Sequence, residues 1–419
     1  MNPAGALAQP RWRILAFLCF AAMLNYADRA AFSTVLPPLR EELGLSDVAI
    51  GLMGSLFLWS YALACPVAGI MADRYSRSRL VVLSLAAWSL VTLLTGLTNG
   101  LAMLAVLRIG LGISESLYLP AAIALLADHH GPKTRGRALA LHSIGLNFGV
   151  VAGGAFAGYL AEHFGWRTGF WVLGGAGVLL AAFGHRFFDR TEPPAPAAAA
   201  NRPGVGEVLR YLVRVPTFHA LLLKMMLSGF TIWIFLNWLP LYFREAFHLS
   251  LGAAGFAGTF MLQIAFVVGL AAGGWISDVV SDGHPRRRML MLAWCYLLAA
   301  PFLLLFLTEP GFGAVVVAIS AFSLLRGMGD SCEKPALCEV VPPRYRSTAI
   351  GLMNACANAN GGIGVFLIGL MKGTMGLNAM FACLSGCLLL AAGVSWVGYR
   401  FFMQRDMQRL REHEAAAHA

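Results

Sequence analysis

The sequence predicts an all-α membrane protein in which twelve transmembrane helices form two pseudo-symmetric six-helix bundles. Three observations lead to this fold class: an apolar composition, twelve apolar runs of spanning length, and loop patterns that occur twice. Of the 419 residues, 58% are hydrophobic and only 12% are charged, and the mean hydropathy is +0.69. A soluble domain needs more polar surface than this composition supplies.

The apolar runs are long enough to be spanning helices, which need about 20 residues to cross the hydrocarbon core. They are too long for the strands of a membrane barrel, which have about 10 residues. The first run contains Asp28-Arg29 and lacks a cleavage pattern, so we expect it to remain as a helix rather than be removed as a signal peptide. The predicted limits are 13–37, 47–72, 79–98, 100–127, 137–162, 166–187, 216–243, 251–277, 287–308, 312–341, 348–371 and 376–401.

Basic residues are distributed unevenly between the two sides of the predicted membrane. Even-numbered loops hold nearly all of them, whereas odd-numbered loops hold only Arg40, Arg167, Arg244 and Lys372. Because basic loops stay in the cytoplasm, both termini are predicted to be cytoplasmic, with the chain in a bacterial inner membrane. The net charge of +10 therefore reflects topology, and we expect no nucleic-acid partner.

The eight cysteines all fall inside the apolar runs. Neither a disulfide framework nor a metal site is expected, because no paired spacing lies outside the runs. No nucleotide-binding loop or nucleophile motif lies outside them either, so we expect neither an enzyme nor a bound cofactor.

The segment 189–215 separates two sets of six runs. Its proline cluster and alanine run make it unfit to cross a membrane. The predicted organisation is an N-terminal six-helix bundle, a cytoplasmic linker, a C-terminal six-helix bundle and a cytoplasmic tail, with limits of 1–188, 189–215, 216–402 and 403–419.

Two loop patterns recur between the halves. Gly69-x-x-x-Asp73-Arg74-x-x-Arg77 returns loosely as Gly274-x-x-x-Asp278 followed by Arg286 to Arg288. Arg135-Gly136-Arg137 is matched by Arg344-Tyr345-Arg346, and both matches have an offset of roughly 205–209 positions. Such repeats indicate internal duplication of the kind that transporters show.

The first of these patterns resembles the loop signature of the major facilitator superfamily, and the resemblance covers the whole chain. It implies secondary transport by a monomer through alternating access. It also implies that a cytoplasmic gate motif latches the ends of the halves in one state, formed by Gly69, Asp73, Arg74 and Arg77. A short basic loop that only anchors topology is the alternative.

Ionisable side chains inside a span are costly unless they are paired or line a watery cavity. The first span contains Asp28 and Arg29, and the fourth contains Arg108 and Glu115. Arg108 and Glu115 are nearly two helical turns apart, so they share a face at a separation of about 10 Å. We expect all four to face a central cavity near mid-membrane, where two arginines meet two carboxylates.

This arrangement suggests a coupling mechanism. An entering carboxylate that pairs with Arg29 or Arg108 displaces an internal acid, and the desolvated acid takes up a proton. Anion binding and protonation then favour each other, which amounts to proton-coupled symport. Arginine suits the anion site because its planar fork binds a carboxylate with two hydrogen bonds. A permanent ion-pair brace between the first and fourth spans is the alternative.

Asn25-Tyr26-Ala27-Asp28-Arg29, with Arg108, Glu115 and Pro120, is similar to the anion:cation symporter family of sugar-acid carriers and of vesicular and lysosomal anion transporters. The resemblance implies proton coupling by Asp28 and Glu115, and anion binding or gating by the two arginines. Protons would be the coupling ion.

Two further stretches match that family: Trp59-Ser60-Tyr61 and Asn237-Trp238-Leu239-Pro240-x-Tyr242. They imply a substrate contact for Tyr61, with a tyrosine satisfied by a neighbouring helix as the alternative. Ser114-Glu115-Ser116 departs from the Gly-Glu-Ala of the family. The Asp-Arg pair and the fourth-span acid are also shared with spinster-like lipid transporters.

The tenth span carries four charged residues along one stripe: Arg326, Asp330, Glu333 and Lys334. The stripe is neutral overall. It either contacts the distal polar end or a second charge of the substrate, or it closes the halves through salt bridges. Asn354 and Asn358 share a face of the eleventh span and are candidates for hydrogen bonds to substrate, with tight helix packing as the alternative. His142 is a candidate titrating group. Lys224 is a weaker site candidate, with a side chain that reaches toward the cytoplasm as the alternative.

The predicted function is proton-coupled symport of a small organic anion, a carboxylate or sugar acid. A spinster-like transporter of lysolipid or another amphiphile, and a drug/proton antiporter, are the alternatives. The lipid bilayer is the other expected partner.

Overall fold

The structure is a computed structural model that describes residues 10–184, 186–188 and 204–418. The elements in these ranges are helical, and no strand occurs among them. The predicted linker residues 189–203 lie outside the described residues. The chain divides into two compact units: unit 1 comprises Met1–Ala200 and Phe235–Phe260, and unit 2 comprises Asn201–Ile234 and Met261–Ala419.

The helices before the linker are α1 Pro10–Thr34, α2 Leu36–Leu43, α3 Asp47–Arg74, α4 Arg77–Thr95, α5 Leu101–Ser116, α6 Tyr118–His129, α7 Pro132–Phe164 and α8 Trp166–Gly184. Those after it are α9 Val205–Val213, α10 Pro216–Phe247, α11 Leu251–Ser281, α12 Arg287–Leu304, α13 Phe312–Cys338, α14 Arg346–Val397 and α15 Met403–His418. Short 3₁₀ segments occupy Leu305–Thr308 and Pro343–Tyr345, and a π-helical turn occupies Gly398–Phe402.

Eleven helical stretches of the described residues are long and apolar enough to cross a membrane. The last of them, Pro343–Glu412, has 70 residues, which is enough chain for two crossings. Inside it Gly376 has φ 72° and ψ 160°, a conformation that glycine adopts far more readily than other residues. Gly376 divides the stretch into two spans, and the predicted fold class of twelve membrane helices is confirmed.

The predicted fourth span is broken near its middle. α5 ends at Ser116 and α6 begins at Tyr118, because Pro120 has no N–H with which to bond the Ser116 carbonyl four residues earlier. Ser84 of α4 donates a hydrogen bond to the neighbouring Ser114 carbonyl at 2.6 Å. Glu115 therefore lies in the last turn of α5, next to the break.

The internal duplication is visible as matching ion pairs in the two units. Arg77 binds the Asp128 carboxylate in unit 1, and Arg288 donates to Glu339 Oε1 at 3.1 Å in unit 2. Each residue of the second pair follows its counterpart by 211 positions. Each pair joins the start of one span to the loop-side end of another.

Arg135 and Arg346 repeat the same pattern. Each donates from Nη2 to a carbonyl eight residues earlier, at 2.9 and 2.6 Å, and from Nε to a carbonyl five residues earlier, at 3.3 and 3.0 Å. The offset is again 211 positions. Arg135 thus corresponds to Arg346, and the predicted match of Arg135 with Arg344 was two residues out of register.

Large apolar side chains remain exposed along the spans, including Leu63 at 79% and Trp275 at 72%. Such a surface requires an apolar solvent, which agrees with an integral membrane protein. The 9-residue helix α9, within the predicted linker, was not predicted.

Candidate functional site

Unit 1 gathers buried charges where α1, α3 and α5 approach one another. Gly112 of α5 permits this approach, because a Cβ there would lie 2.5 Å from the Phe57 carbonyl oxygen of α3. The close packing brings aromatic rings of α3 against charged residues of α1 and α5. Three of these residues are almost completely buried, with exposures of 3% for Asp28, 4% for Arg108 and 1% for Glu115.

Arg29 is the ion-paired arginine of this cluster. Its Nε donates to Glu115 Oε2 at 2.7 Å, and its Nη2 donates to Asn25 Oδ1 at 3.2 Å. The guanidinium also lies over three aromatic rings, with centroids 4.6 to 4.9 Å away: Tyr26, Phe57 and Tyr61. The predicted substrate contact Tyr61 is thus placed beside the predicted anion-binding arginine, which cation–π attraction stabilises.

Arg108 is buried without a carboxylate partner. Its Nε donates to the Met53 carbonyl at 3.1 Å, and its guanidinium lies 3.9 Å from the centroid of the Phe32 ring and 4.9 Å from that of Phe57. Among the described residues, no acid lies within ion-pairing distance of it. A buried cation held only by a carbonyl and two rings is poorly compensated.

Asp28 is the corresponding acid. Its Oδ2 accepts a hydrogen bond from Thr92 Oγ1 of α4 at 2.9 Å. Its Oδ1 is buried, and no donor among the described residues reaches it. Asp28 therefore keeps one oxygen available for a proton, because a protonated carboxyl needs fewer donors than a carboxylate.

The four charged residues predicted to form one paired cluster are therefore brought together but paired only in part. Arg29 and Glu115 form the ion pair, while Asp28 and Arg108 are held by uncharged groups. An anion that enters the cluster finds one arginine already occupied by a carboxylate and one free to bind it. An anion can therefore bind Arg108 without displacing the Glu115 carboxylate from Arg29.

Unit 2 contains a second cluster, centred on Lys224 of α10. Lys224 is fully buried, and its Nζ donates to Asp330 Oδ1 at 2.5 Å and to Glu333 Oε2 at 2.7 Å. The alternative in which Lys224 reaches toward the cytoplasm is therefore wrong. Its ammonium instead joins α10 to α13 through two carboxylates.

The remaining members complete this second network. Tyr296 of α12 donates its hydroxyl to Asp330 Oδ1 at 2.7 Å, and the Ser228 hydroxyl lies 2.7 Å from the same phenol oxygen. Arg326 Nη1 lies 3.5 Å from Asp330 Oδ2, and the guanidinium stacks over Phe266 at 4.1 Å. Each charged member of the network thus has a partner of opposite charge.

Lys334 does not join the network, although the sequence placed it on the same stripe. Its side chain is exposed, and Lys224 takes the place expected for it beside Asp330. Lys334 instead lines a small cavity together with Glu333 and Asn354. Asn358, one turn further along α14, donates to the Asn354 carbonyl at 2.8 Å.

His142 of α7 is buried and apart from the charged cluster of unit 1. Its Nε2 lies 3.0 Å from the Tyr118 hydroxyl, which donates to the Leu18 carbonyl at 2.6 Å. Because the phenol has one proton, His142 must donate to it through Nε2. This is the arrangement of a histidine that orients a tyrosine.

The predicted gate motif lies at the end of α3 and the start of α4. Arg77 is occupied by Asp128, Arg74 is exposed, and a Cβ on Gly69 would meet open space. The side chain of Asp73 lies outside the described residues.

No group of three or more His, Cys, Asp or Glu side chains in the described ranges is arranged to hold a metal ion. A wide depression of about 600 Å³ occurs elsewhere in unit 1, lined by residues that include Arg40, Arg244 and His248. It contains none of the predicted site residues.

Three residues of the clusters were missed by sequence reasoning: Thr92, Ser228 and Tyr296. A hydroxyl residue in an apolar run gives no signal, because such residues commonly bond to their own helix, as Ser114 and Thr95 do here. Lys224 did carry a signal. It lies eight residues inside a span that starts at Pro216, about 12 Å along the helix axis.

Twelve spans, duplicated halves and a buried charge cluster in each unit together describe a secondary transporter of solutes. Residues 18–365 match the Major Facilitator Superfamily, and the chain belongs to that superfamily. The predicted transporter class is confirmed, as is the expectation that the protein is not an enzyme, because the relatives are transporters.

Individual relatives refine the comparison. The hexuronate transporter of Bacillus subtilis (strain 168) is 28% identical over 396 residues, 91% of this chain and 91% of its own. The probable L-galactonate transporter of Escherichia coli (strain K12) is 27% identical over 334 residues, 75% of this chain and 73% of its own. Other relatives include a probable galactarate/D-glucarate transporter, a probable chloroplastic anion transporter and an efflux pump.

A solved structure shares the fold. The bacterial homologue of the human lysosomal transporter Spinster, in an inward-facing and unoccupied conformation, superposes with a TM-score of 0.77. It is 21% identical and covers 95% of this chain and 98% of its own. The predicted resemblance to the anion carriers agrees with the names of these relatives, and the resemblance to the spinster-like branch is confirmed for the fold.

Proposed function

We propose that the protein is a proton-coupled symporter of a small organic anion. The observation that carries this proposal is Arg108, a buried guanidinium with no carboxylate partner among the described residues. A permanently charged group in this position is best stabilised by an anion that is not part of the chain. A planar carboxylate fits it, because the two terminal nitrogens of Arg108 remain available for a two-pronged contact.

Coupling follows from the charge count of the unit 1 cluster. With two arginines and two carboxylates the cluster is formally neutral, so a bound carboxylate adds one uncompensated negative charge. One proton on Asp28 or Glu115 restores neutrality. Anion and proton therefore bind more tightly together than apart, and each is released more readily after the other has left.

The substrate class is supported by the names of the relatives. The hexuronate, probable L-galactonate and probable galactarate/D-glucarate transporters are all named for sugar acids. Both termini would be cytoplasmic in a bacterial inner membrane, and the working form would be a monomer that alternates access.

Uptake into proteoliposomes tests the substrate and the coupling ion together. The purified protein is reconstituted, and labelled sugar acids, dicarboxylates, aromatic acids and monocarboxylates are supplied with and without an inwardly directed proton gradient. We expect accumulation of one acid class that depends on the gradient. Gradient-independent uptake of every acid, or no uptake of any, would contradict the proposal.

Glu115→Gln tests the coupling acid. The amide fixes a protonated-like state, so we expect anion counterflow to continue while accumulation driven by a pH gradient is lost. Glu41→Gln makes the same chemical change at an exposed position and should leave both assays unchanged. Retained accumulation in Glu115→Gln would remove this residue from the coupling step. Loss of counterflow together with driven uptake would assign it to binding or structure.

A second candidate is an anionic amphiphile. Both arginines of unit 1 are flanked by aromatic rings, which are apolar enough to contact an acyl chain or an aromatic drug. Lysophosphatidic acid supplied as a competitor separates the two. If it blocks sugar-acid uptake without being carried, the small-anion proposal stands, and if only it is carried, the amphiphile proposal replaces it.

A further inference from the structure

The short helix α9 has an apolar side of which one part is buried and the adjoining part is exposed. It begins at Val205 and ends at Val213, and only Arg214 and Val215 separate it from the start of α10, a membrane span. α9 therefore lies close to a membrane surface, on the side that the distribution of basic residues predicts to be cytoplasmic.

One face of α9 packs against the rest of unit 2. Val208 and Leu212 are buried, with exposures of 0% and 1%. Tyr211 donates its hydroxyl to the Val340 carbonyl at 3.0 Å, and its ring lies 5.1 Å from that of Tyr345. The Tyr345 hydroxyl in turn donates to the Glu207 carboxylate. The helix is thus fixed to the segment between α13 and α14.

The other apolar face is exposed. Val205, Leu209 and Val213 follow one another at intervals of four residues, with exposures of 58%, 39% and 69%. At about 100° per residue they form an arc of about 80° next to the docked face. Arg210 and Arg214 continue the arc on its far side, and both are exposed.

We propose that this exposed face is a docking surface for anionic phospholipid. Val205, Leu209 and Val213 enter the boundary between headgroups and acyl chains, and Arg210 and Arg214 bind lipid phosphates at its edge. The positive charges of Arg210 and Arg214 complement the negative charge of the lipid phosphates. The two arginines outnumber the single acid of α9, Glu207, which is exposed and accepts the Tyr345 hydroxyl.

This contact has a consequence for unit 2. α9 holds the Val340 carbonyl and the Tyr345 hydroxyl, so lipid bound to its outer face fixes the α13–α14 connection at the height of the headgroups. The connection also carries Arg346, which closes the end of α13 through the Cys338 carbonyl at 2.6 Å. The lipid surface and the end of α13 are therefore mechanically linked.

Hydrogen exchange of the backbone amides of α9 tests the contact without reference to transport. The full-length protein is placed in nanodiscs of phosphatidylcholine alone, or of phosphatidylcholine mixed with phosphatidylglycerol. We expect exchange in α9 to slow when the anionic lipid is present, by about fivefold for each arginine that binds a headgroup. Equal exchange in the two lipids would overturn the proposal.

Three variants separate the contributions. Arg210→Gln with Arg214→Gln should remove the dependence on phosphatidylglycerol, whereas Val205→Ser, Leu209→Ser and Val213→Ser together should speed exchange in both lipids. Arg286→Gln with Arg287→Gln removes the same charge from exposed positions of another loop and should leave α9 unchanged. If the serine variant exchanges like the wild type in both lipids, the exposed face does not contact the bilayer and the proposal fails.

Discussion

The two charge clusters contain the same numbers of cations and acids but differ in how many of the cations are ion-paired. Each contains two cations and two acids: Arg29, Arg108, Asp28 and Glu115 in unit 1, and Lys224, Arg326, Asp330 and Glu333 in unit 2. In unit 1 only one cation is ion-paired, whereas in unit 2 both are. The unit 1 cluster therefore has a cation that can bind a charged ligand. In the unit 2 cluster every cation is already paired with an acid of the chain.

This contrast separates binding from structure. An ion in a low-dielectric interior must be compensated, either by the chain or by something that the chain binds. The unit 2 network compensates itself and joins α10, α12 and α13. In unit 1 the compensation of Arg108 is left to a carbonyl and aromatic rings. Mutations should therefore affect stability in unit 2 and ligand binding in unit 1.

Lys224→Met provides the largest expected effect. It leaves Glu333 without its cation and Asp330 with the long contact to Arg326 as its only ion pair, so we expect the free energy of unfolding to fall by about 3–5 kcal/mol. Denaturant titration of the purified protein measures this. Lys334→Met removes the same charge from an exposed position nearby and should change stability by less than about 0.5 kcal/mol.

Adding Glu333→Gln to Lys224→Met sharpens the same prediction. The double variant retains Arg326 and Asp330, which can neutralise each other, so it should recover much of the lost stability. If the single variant is as stable as the wild type, the network is not what holds α10 to α13. If the double variant is no better than the single one, the loss comes from packing around the lysine rather than from unbalanced charge.

Arg108 should behave in the opposite way. Arg108→Met breaks no ion pair, and a proton on Asp28 or Glu115 can neutralise the negative charge that it leaves in the cluster. The unfolding transition should therefore stay near its wild-type temperature while anion binding is lost. Arg108→Lys keeps the charge but not the planar fork, and we expect binding to weaken by about 1–3 kcal/mol. Near-normal affinity of purified Arg108→Lys for the transported acid would make Arg108 a structural brace.

The sequence was sufficient to predict the spans and the identity of the four charged residues in unit 1, because both depend on the cost of placing polar groups in hydrocarbon. It was insufficient to predict the pairing. Helical periodicity shows that Arg108 and Glu115 share a face, but which neighbouring helix each one meets depends on helix rotation and on close approaches such as that at Gly112. Arg29 therefore takes Glu115, and Arg108 meets the Phe32 ring.

In the unit 2 cluster, too, the sequence predicts pairs within one helix but not pairs between helices. The stripe of α13 was visible as spacing along one helix, and the Arg326–Asp330 pair at four residues was foreseeable. The partner that arrives from a different helix was not, since Lys224 and Asp330 are 106 residues apart. A local pattern suggested Lys334 for that position, and the fold supplied Lys224.

The smallest expected effects come from single hydroxyls, and they test the comparison directly. Thr92→Val removes the sole hydrogen bond of Asp28 among the described residues, whereas Tyr296→Phe removes one of several partners of Asp330. We expect the free energy of unfolding to fall by about 1–3 kcal/mol for Thr92→Val and by about 0.5–1.5 kcal/mol for Tyr296→Phe. The second loss is smaller because Asp330 keeps its cations. Thermal unfolding at a pH well above that of carboxylate titration measures both.

The matched control for Thr92→Val is Thr92→Ser, which keeps the hydroxyl and should retain most of the stability. Lowering the pH supplies a second test, because a protonated Asp28 no longer needs a donor for each oxygen. The difference between wild type and Thr92→Val should therefore shrink in acid. If Tyr296→Phe is the more damaging variant, the unit 2 network depends on its hydroxyl rather than on its ion pairs. Ion pairing would then not explain the stability of the unit 2 cluster, and the contrast with unit 1 would fail.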